Sequence, residues 1–111
     1  MRSVLVGIAA AGLMVAMSAA AQPAVDADAA QALMKKSNCF KCHSIDKKKE
    51  GPPYQEVAAK LKGKPDAEQK LYTHLTTHPK VKVDGKEEEH TSLKTTDDAQ
   101  IKNVIRFILS Q

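Results

Sequence analysis

Apolar residues recur at helical spacing in four stretches of the chain. In the first, residues 26–36, Ala30, Leu33 and Met34 lie at i, i+3 and i+4, and an aspartate opens the segment as its N-cap. This spacing predicts a helix with one buried face. Met34 lies on that face, so we interpret it as a core residue rather than a metal ligand.

The second and third stretches are bounded by glycine and proline. Tyr54–Leu61 has three apolar residues on one side, and Gly63 supplies the stop signal. A third helix is predicted from Pro65 to about Thr77, because proline suits the first helical position. It ends before Pro79, since the residue preceding a proline is restricted away from helical conformation.

The fourth stretch lies at the end of the chain. The run Thr95-Thr96-Asp97-Asp98 predicts a helix cap, and the helix continues to about Ser110. Its predicted apolar face consists of Ile101, Val104, Ile105, Ile108 and Leu109. Before this helix, residues 81–83 hint at a strand, and Asp84-Gly85 is a dipeptide typical of tight turns.

The first 21 residues have the layout of an export signal. A charged start at Arg2 is followed by an apolar run to Met17 and by small residues up to Ala21. The alternative is an uncleaved membrane anchor, but the run is shorter than the ~20 residues that span a bilayer. We therefore expect a signal peptide at 1–21, a periplasmic domain at 22–111 and no membrane span in the mature chain.

Composition limits the classes of partner and cofactor. Loss of Arg2 with the signal leaves 16 basic and 13 acidic residues, a net charge of +3 that permits docking to an acidic surface. Two Phe, two Tyr and no Trp are too few aromatic residues for nucleic-acid binding by stacking. A domain of this size buries only ~60–65% of its unfolded surface, so a large buried cofactor would complete a marginal core.

The candidate chemistry is concentrated in Cys39-Phe40-Lys41-Cys42-His43. The spacing Cys-x-x-Cys-His is the attachment signature of c-type haem, in which two thiols add to the porphyrin and the imidazole coordinates the iron. One helical turn puts Cys39 and Cys42 on the same side, where both sulfurs reach one edge of the macrocycle. His43 is then the proximal ligand.

Three other uses of paired cysteines fit less well. A zinc site would need a second pair of ligands at metal spacing, and the chain has no other cysteine. A thioredoxin-like redox pair would need a βαβ frame, which the hydrophobic pattern does not offer. A structural disulfide is the third alternative. Together with the export signal, the motif favours covalent attachment of one haem.

These features resemble the class I cytochromes c, in particular the short bacterial cytochromes c of the periplasm. The resemblance covers almost the whole mature chain, including the motif with Ser44-Ile45-Asp46 after it, residues 51–60 and the final helix up to Gln111. It implies an all-α fold of about four helices around one covalent haem c. It also implies that the carbonyl of Pro52 accepts a hydrogen bond from the His43 imidazole.

The sequence differs from the pattern of that family at the sixth iron ligand. Its members normally supply a methionine shortly before the last helix, but no methionine follows Met34. His90 lies close to the expected place of that methionine, and imidazole is a good iron ligand. We predict coordination by His43 and His90, with His74 or His78 as an alternative distal ligand and an open iron as the third possibility.

The alternative ligands share a stripe of the predicted third helix. His74 and His78 are four residues apart, in line with Leu71 and Leu75. Two histidines alone make a weak metal site. We interpret both as boundary or surface residues.

A histidine in place of methionine has an electrochemical consequence. Methionine favours ferrous iron, so the more basic imidazole should lower the reduction potential. The carboxylates of Glu87, Glu88 and Glu89 would act in the same direction by stabilising ferric charge, with an effect that salt screens.

The expected function is one-electron transfer between a redox donor and acceptor, with no catalytic residues. Two protein ligands leave the iron no free position for a substrate, and nothing else resembles acid–base machinery. Six lysines near the motif are candidates for a docking surface: Lys35, Lys36, Lys41, Lys47, Lys48 and Lys49. The alternative function is a haem-based gas sensor or a haem enzyme subunit with a displaceable sixth ligand.

Overall fold

The structure, a computed structural model, describes residues 7, 10–15 and 23–111. The predicted cleavage position and most of the predicted signal peptide lie outside the described residues. The helices are α1 (Ala27–Lys36), a short 3₁₀ helix (Cys39–Lys41), α2 (Tyr54–Leu61), α3 (Ala67–Thr76) and α4 (Asp98–Leu109). Strands β1 (Lys80–Val83) and β2 (Lys86–Glu89) lie between α3 and α4. In the part of the chain that is described, every helix is too short or too polar to cross a bilayer.

Side-chain caps determine where two of the helices begin. The carboxylate of Asp26 accepts a hydrogen bond from the Ala29 amide at 3.0 Å, and that of Asp97 accepts one from the Gln100 amide at 2.9 Å. Each bond satisfies an amide of the first turn that has no partner within the helix. The predicted bounds of α1, α2 and α4 are confirmed to within a residue or two.

The predicted start of α3 at Pro65 is wrong. The helix begins at Ala67, and Pro65 lies in the turn that precedes it. In this turn the Ala67 amide donates to the Lys64 carbonyl at 3.2 Å, and Asp66 has a non-helical φ and ψ of −99° and 8°. The fixed φ of proline suits such a turn as well as it suits the first turn of a helix.

An antiparallel hairpin adds two strands to the predicted four helices. Its register pairs Val83 with Lys86 across the turn at Asp84-Gly85. Both turn residues have positive φ, 50° and 77°, as a two-residue hairpin turn with the strand twist requires. The predicted turn is therefore confirmed, whereas the second strand, which is exposed along its whole length, was missing from the prediction.

Helix α4 lies at the centre of the core and packs against the other three helices. Its residues Val104 and Ile105 are 0% and 1% exposed. Phe107 is also buried, although the predicted apolar face did not include it, and Leu109 is only partly buried. Met34 is fully buried in the same cluster, which confirms that it is a core residue.

Replacement of Ile105 by alanine should lower the free energy of unfolding by about 2–5 kcal/mol, because close-packed neighbours cannot fill the cavity completely. Denaturant unfolding of the purified haem protein measures the loss. Lys60→Ala is the control, since this exposed residue pairs with Glu56 in its own helix, at 2.9 Å, and exposed pairs of this kind contribute little to stability. Equal losses in the two variants would contradict a core centred on α4.

Candidate functional site

Residues 39–43 form a tight loop between α1 and α2. Asn38 adopts a left-handed φ of 62°, which asparagine tolerates, and thereby turns the chain from α1 into the 3₁₀ helix. The His43 amide then donates to the Cys39 carbonyl at 3.0 Å, which closes one turn. Cys39 and Cys42 are free, half-buried thiols that line the same cavity.

Three neighbours determine the orientation of the His43 ring. Its Nδ1 lies 2.8 Å from the carbonyl oxygen of Pro52, the contact that the family resemblance implied. The ring stacks on Tyr54, with centroids 4.9 Å apart and planes inclined by 25°. A Cβ on Gly51 would lie only 2.5 Å from the ring carbon Cε1, so this position has no room for a side chain. A proton on Nδ1 leaves the lone pair of Nε2 free to bind a metal.

Backbone hydrogen bonds connect these neighbours to the cysteine loop. The Gly51 amide donates to the Cys42 carbonyl at 2.7 Å, and the Tyr54 amide donates to the Ser44 carbonyl at 2.9 Å. The side chain of Lys49 reaches back to the Phe40 carbonyl at 2.7 Å. The Gly-Pro-Pro-Tyr segment therefore positions the imidazole through the main chain as well as through side-chain contacts.

His90 follows β2 and is held by the main chain of the preceding elements. Its amide donates to the Pro79 carbonyl at 2.7 Å, and the Leu93 amide donates to the Leu75 carbonyl at 3.0 Å. The ring is half-buried, and its Nδ1 is buried without a hydrogen-bond partner in the described part of the chain. The centroids of the His90 and His43 rings are 6.2 Å apart, with planes inclined by 56°.

His74 lies in the same cavity as His90. Its ring is half-buried, as a boundary residue would be, and its centroid lies 4.1 Å from that of His90. His78 is exposed, lies beyond the end of α3 with a left-handed φ of 51°, and does not line this cavity. The sequence indicates why His74 lines the cavity and His78 does not, because His74 lies within the helix between the apolar Leu71 and Leu75, which are buried.

The pKa values of these groups follow from burial. Burial lowers the pKa of His90 to about 4 and also lowers the pKa of His74, with neighbouring imidazoles acting in the same direction. Both rings are neutral at neutral pH, which is the form that binds metal ions. Burial raises the pKa of the Cys39 thiol, and desolvation and Glu50 raise that of Cys42. A thioredoxin-like pair depends on a lowered thiol pKa, so the two cysteines do not have that character.

Both cysteines and three of the histidines, His43, His74 and His90, line a cavity of about 450 Å³, a volume typical of ligand sites. Its apolar wall comes from three helices and β1 and includes Val57, Leu71, Leu75, Val81, Val83 and Ile108. Charged residues also line it: Glu50, Lys70, Lys82, Glu88 and Glu89. Of the predicted acidic run, Glu87 is absent from this lining. None of the six predicted docking lysines lines the cavity, and all six are exposed.

The donor set fits an iron porphyrin better than a bare metal ion. Among the described residues, no three acidic, cysteine or histidine side chains are grouped to hold a metal alone. Metal–imidazole bonds are about 2 Å long, so two imidazoles on opposite sides of one metal place their centroids roughly 6 Å apart. The 6.2 Å between His43 and His90 agrees with that spacing. A helical domain with such a cavity beside a Cys-x-x-Cys-His loop defines a small protein with covalently bound haem.

Comparison with known proteins gives the family. Residues 27–111 match the family described as Cytochrome c, and the chain belongs to this family. Cytochrome c-551 of Stutzerimonas stutzeri is 40% identical over 75 residues, which are 68% of this chain and 67% of that protein. Among solved structures, the class 1 cytochrome MtoD from Sideroxydans lithotrophicus ES-1 is 50% identical, with a TM-score of 0.75 over 78% of this chain and 97% of that one.

A more distant solved structure has the same fold. Wild-type cytochrome c552 of Nitrosomonas europaea is 28% identical, with a TM-score of 0.56 over 72% of this chain and 96% of its own. These similarities confirm the class I cytochrome c fold, the covalent haem c and the role of a monohaem electron carrier. Redox proteins are therefore its partners.

Proposed function

We propose that this protein is a periplasmic electron carrier whose haem is attached through Cys39 and Cys42 and whose iron is held by His43 and His90. The observation that carries the proposal is the 6.2 Å between the two imidazole centroids, in a cavity that both cysteines line. When bound, the haem supplies a ferric–ferrous couple that exchanges one electron.

The protein's own contacts orient the proximal imidazole. The carbonyl of Pro52 accepts the Nδ1 proton of His43, so that Nε2 is the nitrogen directed to the metal. Tyr54 covers one face of the ring, and Gly51 leaves the space that the ring occupies. These contacts support the assignment of Pro52 as the residue that orients the proximal ligand.

Three observations support His90 as the distal ligand. It lines the cavity with His43, its ring is neutral because burial lowers its pKa to about 4, and its backbone is bonded to Pro79. No methionine follows Met34, so the chain offers no His/Met site of the usual topology. The imidazole should hold the reduction potential below that of His/Met cytochromes c.

Two carboxylates that line the cavity act in the same direction, whereas Lys70 and Lys82, which also line it, act against them. Glu88 and Glu89 line it, and carboxylates near the iron favour the ferric state. Both residues are exposed, so salt screens their effect. The imidazole ligand therefore carries most of the proposed lowering of the potential.

Export to the periplasm rests on residues 1–21, which combine a charged start, an apolar run and small residues before the predicted cleavage point. A mature protein that retains Arg2 when recovered from cells would contradict cleavage after Ala21.

Replacement of His90 tests the distal assignment. His90→Ala should convert a closed low-spin iron into one that binds carbon monoxide rapidly and completely in the reduced state, because a coordination position becomes free. Absorption spectroscopy measures the change. His90→Met should keep the iron closed but raise the reduction potential, since a thioether favours ferrous iron.

The exposed His78 supplies the matched control for this experiment. His78→Asn removes an imidazole outside the cavity at a position with positive φ, which asparagine tolerates, and should leave the spectrum unchanged. If wild-type protein already binds carbon monoxide rapidly, the gas sensor or enzyme is the better description. A spectrum that is unaltered in His90→Ala would exclude His90 as the ligand.

Gly51→Ala should disturb the proximal side, because the new methyl group would meet the His43 ring at 2.5 to 3.0 Å and push it away from Pro52. Loss of such an orienting contact typically costs 10-fold to 100-fold in metal affinity or activity, and we expect about that loss in the yield of low-spin haem protein. Gly63→Ala is the control, since its Cβ meets nothing within 4 Å; its φ of 75° adds backbone strain that Gly51 does not have, so the control is the more strained of the two at the main chain. A spectrum that is normal in Gly51→Ala would argue against a fixed proximal ring.

The exposed lysines near the cysteine loop are the proposed docking surface for redox partners. Lys47→Glu together with Lys48→Glu should slow electron transfer to an acidic partner at low salt, and the difference should shrink as salt is added. Stopped-flow kinetics across a salt series measures it. Lys62→Glu with Lys64→Glu makes the same change of charge beyond α2, and an equal effect there would indicate net charge rather than a docking surface.

A further inference from the structure

The cavity contains two neighbouring imidazoles, and the proposed function uses only one of them as a ligand. The ring of His74, near the end of α3, has its centroid 4.1 Å from that of His90, with planes inclined by 48°. Both rings line the same cavity. At this distance the two side chains are in contact, so His74 restricts the orientations that His90 can adopt.

The two proposed ligands differ in how their second nitrogen is satisfied. Nδ1 of His43 has the carbonyl of Pro52 at 2.8 Å, whereas Nδ1 of His90 is buried without a partner among the described residues. A histidine that binds a metal almost always donates its other N–H to an acceptor. The distal side therefore lacks the interaction that the proximal side has.

The main chain around His90 does not provide that acceptor. The backbone of Thr91 interacts with the His90 ring, but Nδ1 has no hydrogen-bond partner among the described residues. The carbonyl of Pro79 already accepts the His90 amide at 2.7 Å. His74 has a ring nitrogen with a free lone pair in its neutral form and lies in contact with the His90 ring.

We propose that His74 is the positioning residue of the distal ligand and accepts the Nδ1 hydrogen of His90. The hydrogen bond requires a rotation of the His74 ring about its Cβ–Cγ bond, a torsion with broad minima that can change while α3 stays in place. The bond fixes the plane of the His90 ring and makes its ligating nitrogen more basic. This inference rests on the proposed role of His90.

Two substitutions at position 74 separate the hydrogen bond from simple packing. His74→Phe keeps a flat ring against His90 but has no acceptor, whereas His74→Gln keeps an acceptor on a flexible side chain. His78→Asn is the matched control, because it removes an exposed imidazole outside the cavity. Far-UV circular dichroism of each haem protein establishes that the fold is retained.

The readouts are the reduction potential and the rate of carbon monoxide binding to the reduced protein. His74→Phe should raise the potential and accelerate carbon monoxide binding by about 10-fold to 100-fold, because the distal imidazole becomes a weaker ligand. His74→Gln should remain near the wild-type values, and His78→Asn should match them. This pattern would support a hydrogen bond from His90 to His74.

Three other outcomes would contradict the positioning role of His74, its hydrogen bond to His90 or the ligand role of His90. If His74→Phe and His74→Gln both leave the readouts unchanged while His90→Ala opens the iron, the positioning role is wrong and the proposed function stands. If His74→Gln shifts the readouts and His74→Phe does not, the role of His74 is ring packing and the hydrogen bond is wrong. If His90→Ala leaves the iron closed, the proposed distal ligand itself is wrong.

Discussion

The fixed orientation of the His43 imidazole is the constraint on which the rest of the site depends. The Pro52 carbonyl oxygen, 2.8 Å from Nδ1, and the stacked ring of Tyr54 hold the imidazole in place. Glycine at position 51 leaves the space that the imidazole occupies. The backbone bond from Gly51 to Cys42 ties this group to the cysteines. The Cys-x-x-Cys-His motif and the Gly-Pro-Pro-Tyr segment therefore form one structural unit, although they are read as separate signals in the sequence.

The distal side is built differently, because contacts distant in sequence position it. His90 directly follows the hairpin in the chain, and its backbone amide donates a hydrogen bond to the Pro79 carbonyl. Helix α3 brings His74 against the same ring. The proposed distal ligand, His90, is thus supported by a strand pair and a helix end, with no rigid local motif of its own.

Local signals accounted for most of the fold and for the proximal half of the site. Helical spacing and the Asp26 and Asp97 caps were sufficient for three helices, and Asp84-Gly85 indicated the turn. Strand β2 could not be predicted, since Lys-Glu-Glu-Glu has no apolar alternation and is held only by its pairing with β1. The stacking of Tyr54 on His43 and the contact of His74 with His90 also escaped prediction, because neither pair has a characteristic spacing.

The outer strand of the hairpin is unfavourable for pairing with a second copy of the chain. A free strand edge is a template for pairing with another chain, and β2 carries a charge on each residue from Lys86 to Glu89. Edge-to-edge addition of a second copy would bring acidic side chains close together, which is unfavourable. The charges on β2 therefore disfavour the addition of another strand at the outer edge of the hairpin.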